Sequence, residues 1–292
     1  MKRLRGKIEL FDIVLTLILL LLVAIFIYPL WYILVAAFSD PLDVVKDPLM
    51  MVPKQITLYN FNMLLSSSTV WLGYRNTLMY VALGTCINVA LTILTGYALA
   101  QPELPARRQF NFMIVLTLFF SGGMIPEYLL VKNLGMLNTI WAIVLPGAIA
   151  TYNLMITRTY LIQQIPRDLT EAAEVDGSGE YRTFFTIILP LSKPIIAVIA
   201  LFYASGHWNS FFSALIYLQN RELYPLQLFL REMLIQDQTL GMMETESSSL
   251  VALYTITLKY AVMTVSILPL LIVFPFVQKF FVKGVMIGAI KG

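Results

Sequence analysis

Ile165-Pro166-Arg167-Asp168-Leu169-Thr170-Glu171-Ala172-Ala173-Glu174-Val175-Asp176-Gly177-Ser178 opens a stretch with five acids between Asp168 and Glu180, in a chain otherwise poor in charge. Asp168 followed three residues later by Glu171 has the form of a helix N-cap with its reciprocal partner. Ala172 and Ala173 propagate the helix and leave one face low. Gly177 supplies the left-handed conformation that ends a helix at small cost. Ser178 is then placed to cap a second helix over Glu180–Leu189, with Tyr181, Phe184, Phe185 and Ile188 on one face. Pro190 and Pro194 stop that helix and start the next segment. The reading is of two short helices joined by a tight glycine turn, either a docking element for a soluble partner or a solvated connection. Cap, small-residue face, glycine stop and aromatic stripe together favour docking.

What carries this hairpin follows from composition. The 292 residues are 59% hydrophobic and 13% charged, whereas soluble domains are about 45–50% apolar and about 25% charged. This excludes a disordered chain and an ordinary cytosolic enzyme. Cys86 and His207 stand alone in their kinds, which leaves no disulfide framework or multi-cysteine metal site. The net charge of +3 is too mild to argue for nucleic acid. The expectation is an all-α integral membrane protein.

A helix crosses about 30 Å of hydrocarbon with roughly 20 apolar residues. Six segments qualify: Phe11–Ala37, Tyr74–Ala100, Phe110–Met124, Thr139–Leu161, Leu191–Leu218 and Tyr254–Phe276. The third is broken by Ser121-Gly122-Gly123 and Pro126, so five spans is the alternative count. The basic start at Lys2, Arg3, Arg5 and Lys7 precedes a run too long for a signal peptide, and reads as an uncleaved first helix. Lys and Arg, among them Arg107, Arg108, Arg158, Arg167 and Arg182, favour one side of the bundle and place both termini in the cytoplasm. External loops then fall at Ser39–Val70 and Gln219–Val251. The second carries Leu226, Phe229, Leu230, Met233 and Leu234 at the spacing of a short amphipathic helix.

Polar groups inside spans mark either helix contacts or a pathway. Tyr152 and Asn153 lie in the fourth segment, and Gly206-His207-Trp208-Asn209 in the fifth. An aromatic ring beside an amide and an imidazole suits a sugar. Equally, Asn and His serve as interhelical hydrogen-bond partners. An intramembrane enzyme would need a nucleophile–base pair, a metal cluster or a carboxylate dyad, and the spans contain almost no acids after Asp12; no G-x-x-x-x-G-K-[ST] loop is present either, so neither enzyme catalysis nor ATP binding is expected of this chain. A secondary transporter or channel subunit is the rival reading; it calls for inverted repeats or several buried ionisable residues, and neither is evident.

Glu171-Ala172-Ala173-x-x-Asp176-Gly177, continuing through Phe184 and Ile187 to Leu189-Pro190, resembles the EAA loop of permease subunits in bacterial binding-protein-dependent ABC importers. The likeness runs from about Tyr74 to the Gly288-Ala289-Ile290-Lys291-Gly292 tail. That tail and Gly206-His207-Trp208-Asn209 are similar to the carbohydrate-uptake branch, the relatives of the second maltose permease subunit. Ser121-Gly122-Gly123-Met124-Ile125-Pro126 and Tyr224-Pro225-Leu226-Gln227-Leu228 resemble its oligosaccharide permeases. Ser178 departs from the alanine common at that position.

The resemblance implies a type I importer permease fold (MetI-like) with six transmembrane helices and cytoplasmic EAA coupling helices. It implies an N-terminal helix and first external loop over 1–70, a permease core over 71–282 with the EAA loop at about 165–190, and a cytoplasmic tail over 283–292. Asp168, Glu171, Ala172, Ala173, Asp176, Gly177, Phe184 and Pro190 would couple the chain to an ATPase, with Glu171 pairing to a cation there. Read as a pathway rather than as helix contacts, the polar mid-span residues Tyr152, Asn153, His207, Trp208 and Asn209 would lie along the route of the substrate. The implied partners are a homologous permease subunit in a heterodimer, two cytoplasmic ATPases, an extracellular solute-binding protein, a carbohydrate and membrane lipid. ATP and magnesium belong to the ATPases, and no cofactor or metal is expected in this chain. The expected location is the bacterial plasma membrane.

Overall fold

The computed structural model describes residues 10–241, 257–273 and 275. The basic residues at positions 2–7, the polar run at 244–249 and the tail at 283–292 lie outside them. Among the described residues the chain is helical, with a single isolated bridge between Ser39 and Ile56 in place of any sheet. It divides into two compact units, Met1–Ser68 with Glu232–Ile267 and Thr69–Arg231 with Leu268–Gly292.

In the first unit, Leu10–Ala37 forms a 28-residue helix whose apolar side chains are exposed along most of its length. An all-round apolar, unburied surface is what a helix facing lipid requires. Pro29 sits inside it. The first expected external loop, Ser39–Val70, holds two short helices, Pro41–Lys46 and Tyr59–Ser66. Asp40 caps the first, its Oδ1 accepting from the Leu42 N–H at 2.9 Å. Val35, Ala36, Val44 and Met50 make a small core beside Tyr32 and Tyr260.

In the second unit the 33-residue helix Ser68–Ala100 is the axis of packing. Its buried residues include Asn76, Tyr80, Gly84, Asn88, Thr92 and Gly96, a strict four-residue repeat that lines one helix face with polar and small groups. Two cores flank it: one around Tyr80, Ala142, Val144, Tyr217 and Leu228, the other around Ile93, Leu161, Phe184, Ile188, Ile199 and Tyr203.

Leu10–Ala37 and Ser68–Ala100 are the two unbroken helices long and apolar enough to cross a membrane among the described residues. Three expected spans are interrupted. The third is Arg107–Leu116 followed, past Ser121-Gly122-Gly123, by Met124–Asn133. The fourth is a four-residue turn, Trp141–Val144, then Thr151–Gln164. Pro146 and Gly147 separate the two pieces, Gly147 at φ +70°, a conformation that suits glycine. The fifth ends at Trp208 and resumes as Phe212–Tyr217. For the sixth, Thr257–Val273 is helical. The amphipathic helix expected in the second loop is present as Leu226–Gly241, with Leu226, Leu228, Phe229 and Leu230 buried.

Candidate coupling hairpin and polar seam

The acidic stretch folds as the helix Arg167–Val175. Gly177 takes φ +74°, and two nested hydrogen bonds close the turn: Gly177 N–H to Glu174 O at 2.9 Å and Ser178 N–H to Ala173 O at 2.8 Å. This is the Schellman arrangement. Two capping details differ from expectation. Pro166, not Asp168, is the N-cap residue and no side chain caps the helix. Asp168 sits one residue into the first turn, where its charge complements the helix dipole. Gly179, not Ser178, precedes the second helix, and the Ser178 hydroxyl instead accepts from Thr183 Oγ1 at 3.0 Å.

The second helix begins at Glu180–Thr183 and loosens into a π-turn over Phe184–Ile188. The Leu189 N–H bonds Phe184 O across it. The loosening precedes Pro190, whose ring would collide with the Thr186 carbonyl in a regular helix. It also splits the expected aromatic stripe. Phe184 and Ile188 are buried, while Tyr181 is 84% and Phe185 59% exposed. Phe184 packs on Tyr97 with ring centroids 5.0 Å apart and so pins the hairpin to the axial helix. Ala173 is buried, whereas Asp168, Glu171, Ala172, Asp176, Gly177 and Pro190 are exposed. With Val175 at 87% exposure, the hairpin presents acids and apolar side chains together.

Past Pro190 the chain bends by 76° into Lys193–Trp208. Buried Ser192 spans the bend; its Oγ donates to Ile188 O at 2.7 Å. The helix then runs antiparallel to Ser68–Ala100 and meets its polar face in two rungs. Tyr203 Oη accepts the Ala150 N–H at 3.0 Å and lies 2.7 Å from Thr92 Oγ1. One turn on, His207 Nε2 lies 3.0 Å from Asn88 Nδ2. Gly84 makes room for the imidazole, since a Cβ there would stand 2.3 Å from Nε2.

The residues expected along a pathway therefore separate. His207 is buried in a helix contact, and Trp208 is buried with its ring 6.2 Å from that of Tyr74. Asn209 is exposed and donates to Ser205 O at 2.8 Å within its own helix. Tyr152 is 64% exposed and Asn153 is buried. Sequence reasoning missed Asn88, Thr92 and Tyr203; the four-residue polar repeat inside an apolar helix was the available signal.

At the other end of the axial helix, Asn76 Nδ2 donates to Glu222 O and Tyr224 O, and Tyr80 Oη donates to Leu223 O at 2.6 Å. Asn138, at φ +59°, accepts the Gln219 and Asn220 N–H groups on its Oδ1.

Comparison with known proteins agrees with this architecture. A protein of Bacillus subtilis (strain 168), "Polygalacturonan/rhamnogalacturonan transport system permease protein YtcP", is 35% identical over 98% of this chain and 100% of its own length. "Protein LplC" of the same organism is 38% identical over 92% of this chain and 90% of its own. Among solved structures, "Crystal structure of a bacterial ABC transporter involved in the import of the acidic polysaccharide alginate" contains a chain that superposes with a TM-score of 0.85 at 28% identity. That match covers 96% of this chain and 100% of the other. The fold is that of an ABC importer permease, a transport subunit and not an enzyme. The family described as "Binding-protein-dependent transport system inner membrane component" matches residues 6–287, and the chain belongs to it.

Proposed function

We propose that this chain forms one membrane half of an ATP-driven importer for an oligosaccharide. It works with a homologous permease chain, two cytoplasmic ATPases that hold ATP and magnesium, and an extracellular binding protein. Six crossings, with the third, fourth and fifth each built from broken helices, leave both termini in the cytoplasm. The permease core is the 71–282 segment.

The observation that carries the proposal is the hairpin Arg167–Leu191. It presents exposed Val175 and Tyr181 beside Glu171 and Asp176, yet it is anchored by buried Phe184. Large apolar side chains displayed among acids are a mark of an interface. The nested bonds around Gly177 and the bond of Ser192 to Ile188 make hairpin and bend stiff enough to transmit displacement. ATP-driven closure of the ATPases pushes on this elbow and reorients the Lys193–Trp208 helix between inward-open and outward-open states. Asn209, exposed at the end of that helix, and Tyr152 are the sugar-facing candidates best supported by exposure; His207, Trp208 and Asn153 shape the path from behind.

Two relatives are named for acidic polysaccharides, and exposed Arg75 near the far end of the axial helix suits a uronate. The test is ATP hydrolysis by the purified complex with its binding protein, against a panel of neutral and uronic oligosaccharides. Stimulation by a uronic oligosaccharide is expected. Hydrolysis that no member of the panel stimulates overturns the oligosaccharide reading.

A further inference from the structure

Three arginines gather where the axial helix ends. Arg107 Nε and Arg158 Nε both donate to the carbonyl of Leu99, at 3.1 and 3.3 Å. The two Nε atoms are thus no further apart than the sum of those distances. Each guanidinium spends one N–H on that carbonyl, and neither side chain has any other hydrogen-bond partner among the described residues. Arg108 follows directly. None of the three forms an ion pair among the described residues, and Glu103, in the intervening turn, does not either.

The positive charge is reinforced by the backbone. Arg107 and Arg108 occupy the first turn of Arg107–Leu116, which contains no acid and has no capping side chain. Cations at the positive end of a helix dipole are in the unfavourable position. An anion placed there relieves the dipole and both guanidiniums at once, and the planar N–H forks of arginine suit phosphate oxygens.

The surroundings select the anion. Leu99 lies at the end of a 33-residue helix long and apolar enough to cross a membrane, so its last turn sits at a bilayer interface. Phe110, Phe112 and Met113, on the first turns of the helix that Arg107 opens, are exposed and offer an apolar surface beside the charges. A ligand with a phosphate at one end and hydrocarbon at the other matches both. Basic pockets between transmembrane helices are built for such headgroups. We propose that Arg107 and Arg158, converging on the Leu99 carbonyl, bind the phosphate of an anionic phospholipid headgroup. The inference goes beyond the transport reading and depends only on the chain lying in a bilayer.

The test uses the assembled complex, stripped of lipid in detergent and titrated with phosphatidylglycerol, with bound lipid counted by native mass spectrometry. The wild-type complex should retain phosphatidylglycerol, and Arg158→Gln should weaken retention about fivefold, the double variant R107Q/R158Q about 25-fold. Arg158→Gln leaves Arg107 on the Leu99 carbonyl, so it reports even where the double variant does not fold. The charge-preserving pair R107K/R158K should keep most of the retention. Equal retention by wild type and Arg158→Gln overturns the site. Displacement of the lipid by millimolar inorganic phosphate alone assigns the arginines to a soluble anion and overturns the lipid. Loss of the ATPase subunits from the double variant, with lipid retention unchanged, assigns them to a protein carboxylate and overturns it equally.

Discussion

The Tyr203 hydroxyl joins three segments distant in sequence: its own helix, Thr92 on the axial helix, and the backbone N–H of Ala150 at the start of Thr151–Gln164. The residue is buried, and little water is available to replace a lost partner. A buried donor left without an acceptor costs about 1–3 kcal/mol. Tyr203→Phe removes the acceptor of the Ala150 N–H and the partner of Thr92 while keeping the ring in its apolar core. We expect it to lower the melting temperature of the purified complex by several degrees, with membrane insertion unchanged. Adding Thr92→Val should cost little more, because the hydroxyl it deletes has already lost its partner, and paired apolar replacement is close to neutral. Full additivity of the two losses would show that the hydroxyls do not interact. Neither residue stood out in the sequence, because one tyrosine and one threonine in apolar helices carry no signal of their own. The repeat Asn76, Tyr80, Gly84, Asn88, Thr92, Gly96 does, but only once the helix is known to be one unbroken rod does a spacing of four become a face.

At the scale of elements, the hairpin was the most legible part of the chain, and its legibility had a physical basis. Gly177 must adopt positive φ for the two nested bonds to Glu174 and Ala173 to form, and a glycine after an alanine-rich turn announces that geometry. Starts of helices were less readable. Asp168 and Ser178 had the right chemistry for caps, yet Pro166 and Gly179 hold the capping positions; the ring of Pro166 fixes its own φ at the helix entry without a side-chain bond. The π-turn was invisible, since nothing in Phe184–Ile188 itself dictates it; the constraint lies downstream in Pro190. Breaks at Pro146-Gly147 and after Trp208 escaped notice for a related reason: hydropathy averages over them. Gly177→Val places a β-branched residue at φ +74°, a conformation that costs roughly 1–3 kcal/mol. Nothing stands within 4 Å of a Cβ there, so the strain is confined to the turn. We expect normal insertion and subunit assembly but loss of oligosaccharide-stimulated ATP hydrolysis. Wild-type stimulation in this variant would separate the hairpin from coupling.

For the molecule as a membrane component, the second unit contains its own measure of bilayer thickness. Asn76 holds the Glu222 and Tyr224 carbonyls near one end of the axial helix, and Tyr97 packs on Phe184 of the hairpin near the other. The 21 helical steps from Asn76 to Tyr97, at about 1.5 Å each, span roughly 32 Å, close to the roughly 30 Å of a hydrocarbon core. On the proposed topology we therefore expect the polar turn bonded to Asn138 and the acidic hairpin on opposite faces of the membrane, with apolar helix between. That expectation rests on a length, the hydrogen bonds of Asn76 and the packing of Tyr97 on Phe184, independently of the arginine and lysine bias that first placed the hairpin inside. It is testable with the single native cysteine, Cys86, removed as Cys86→Ser. In that background Ser178→Cys in the hairpin should react with a membrane-impermeant maleimide only after the cells are opened. Gln219→Cys, beside the Asn138 turn and exposed, should react on intact protoplasts. Labelling of Ser178→Cys from outside would put the elbow where no cytoplasmic ATPase reaches it. Labelling of both from one side would mean that the axial helix does not cross the bilayer.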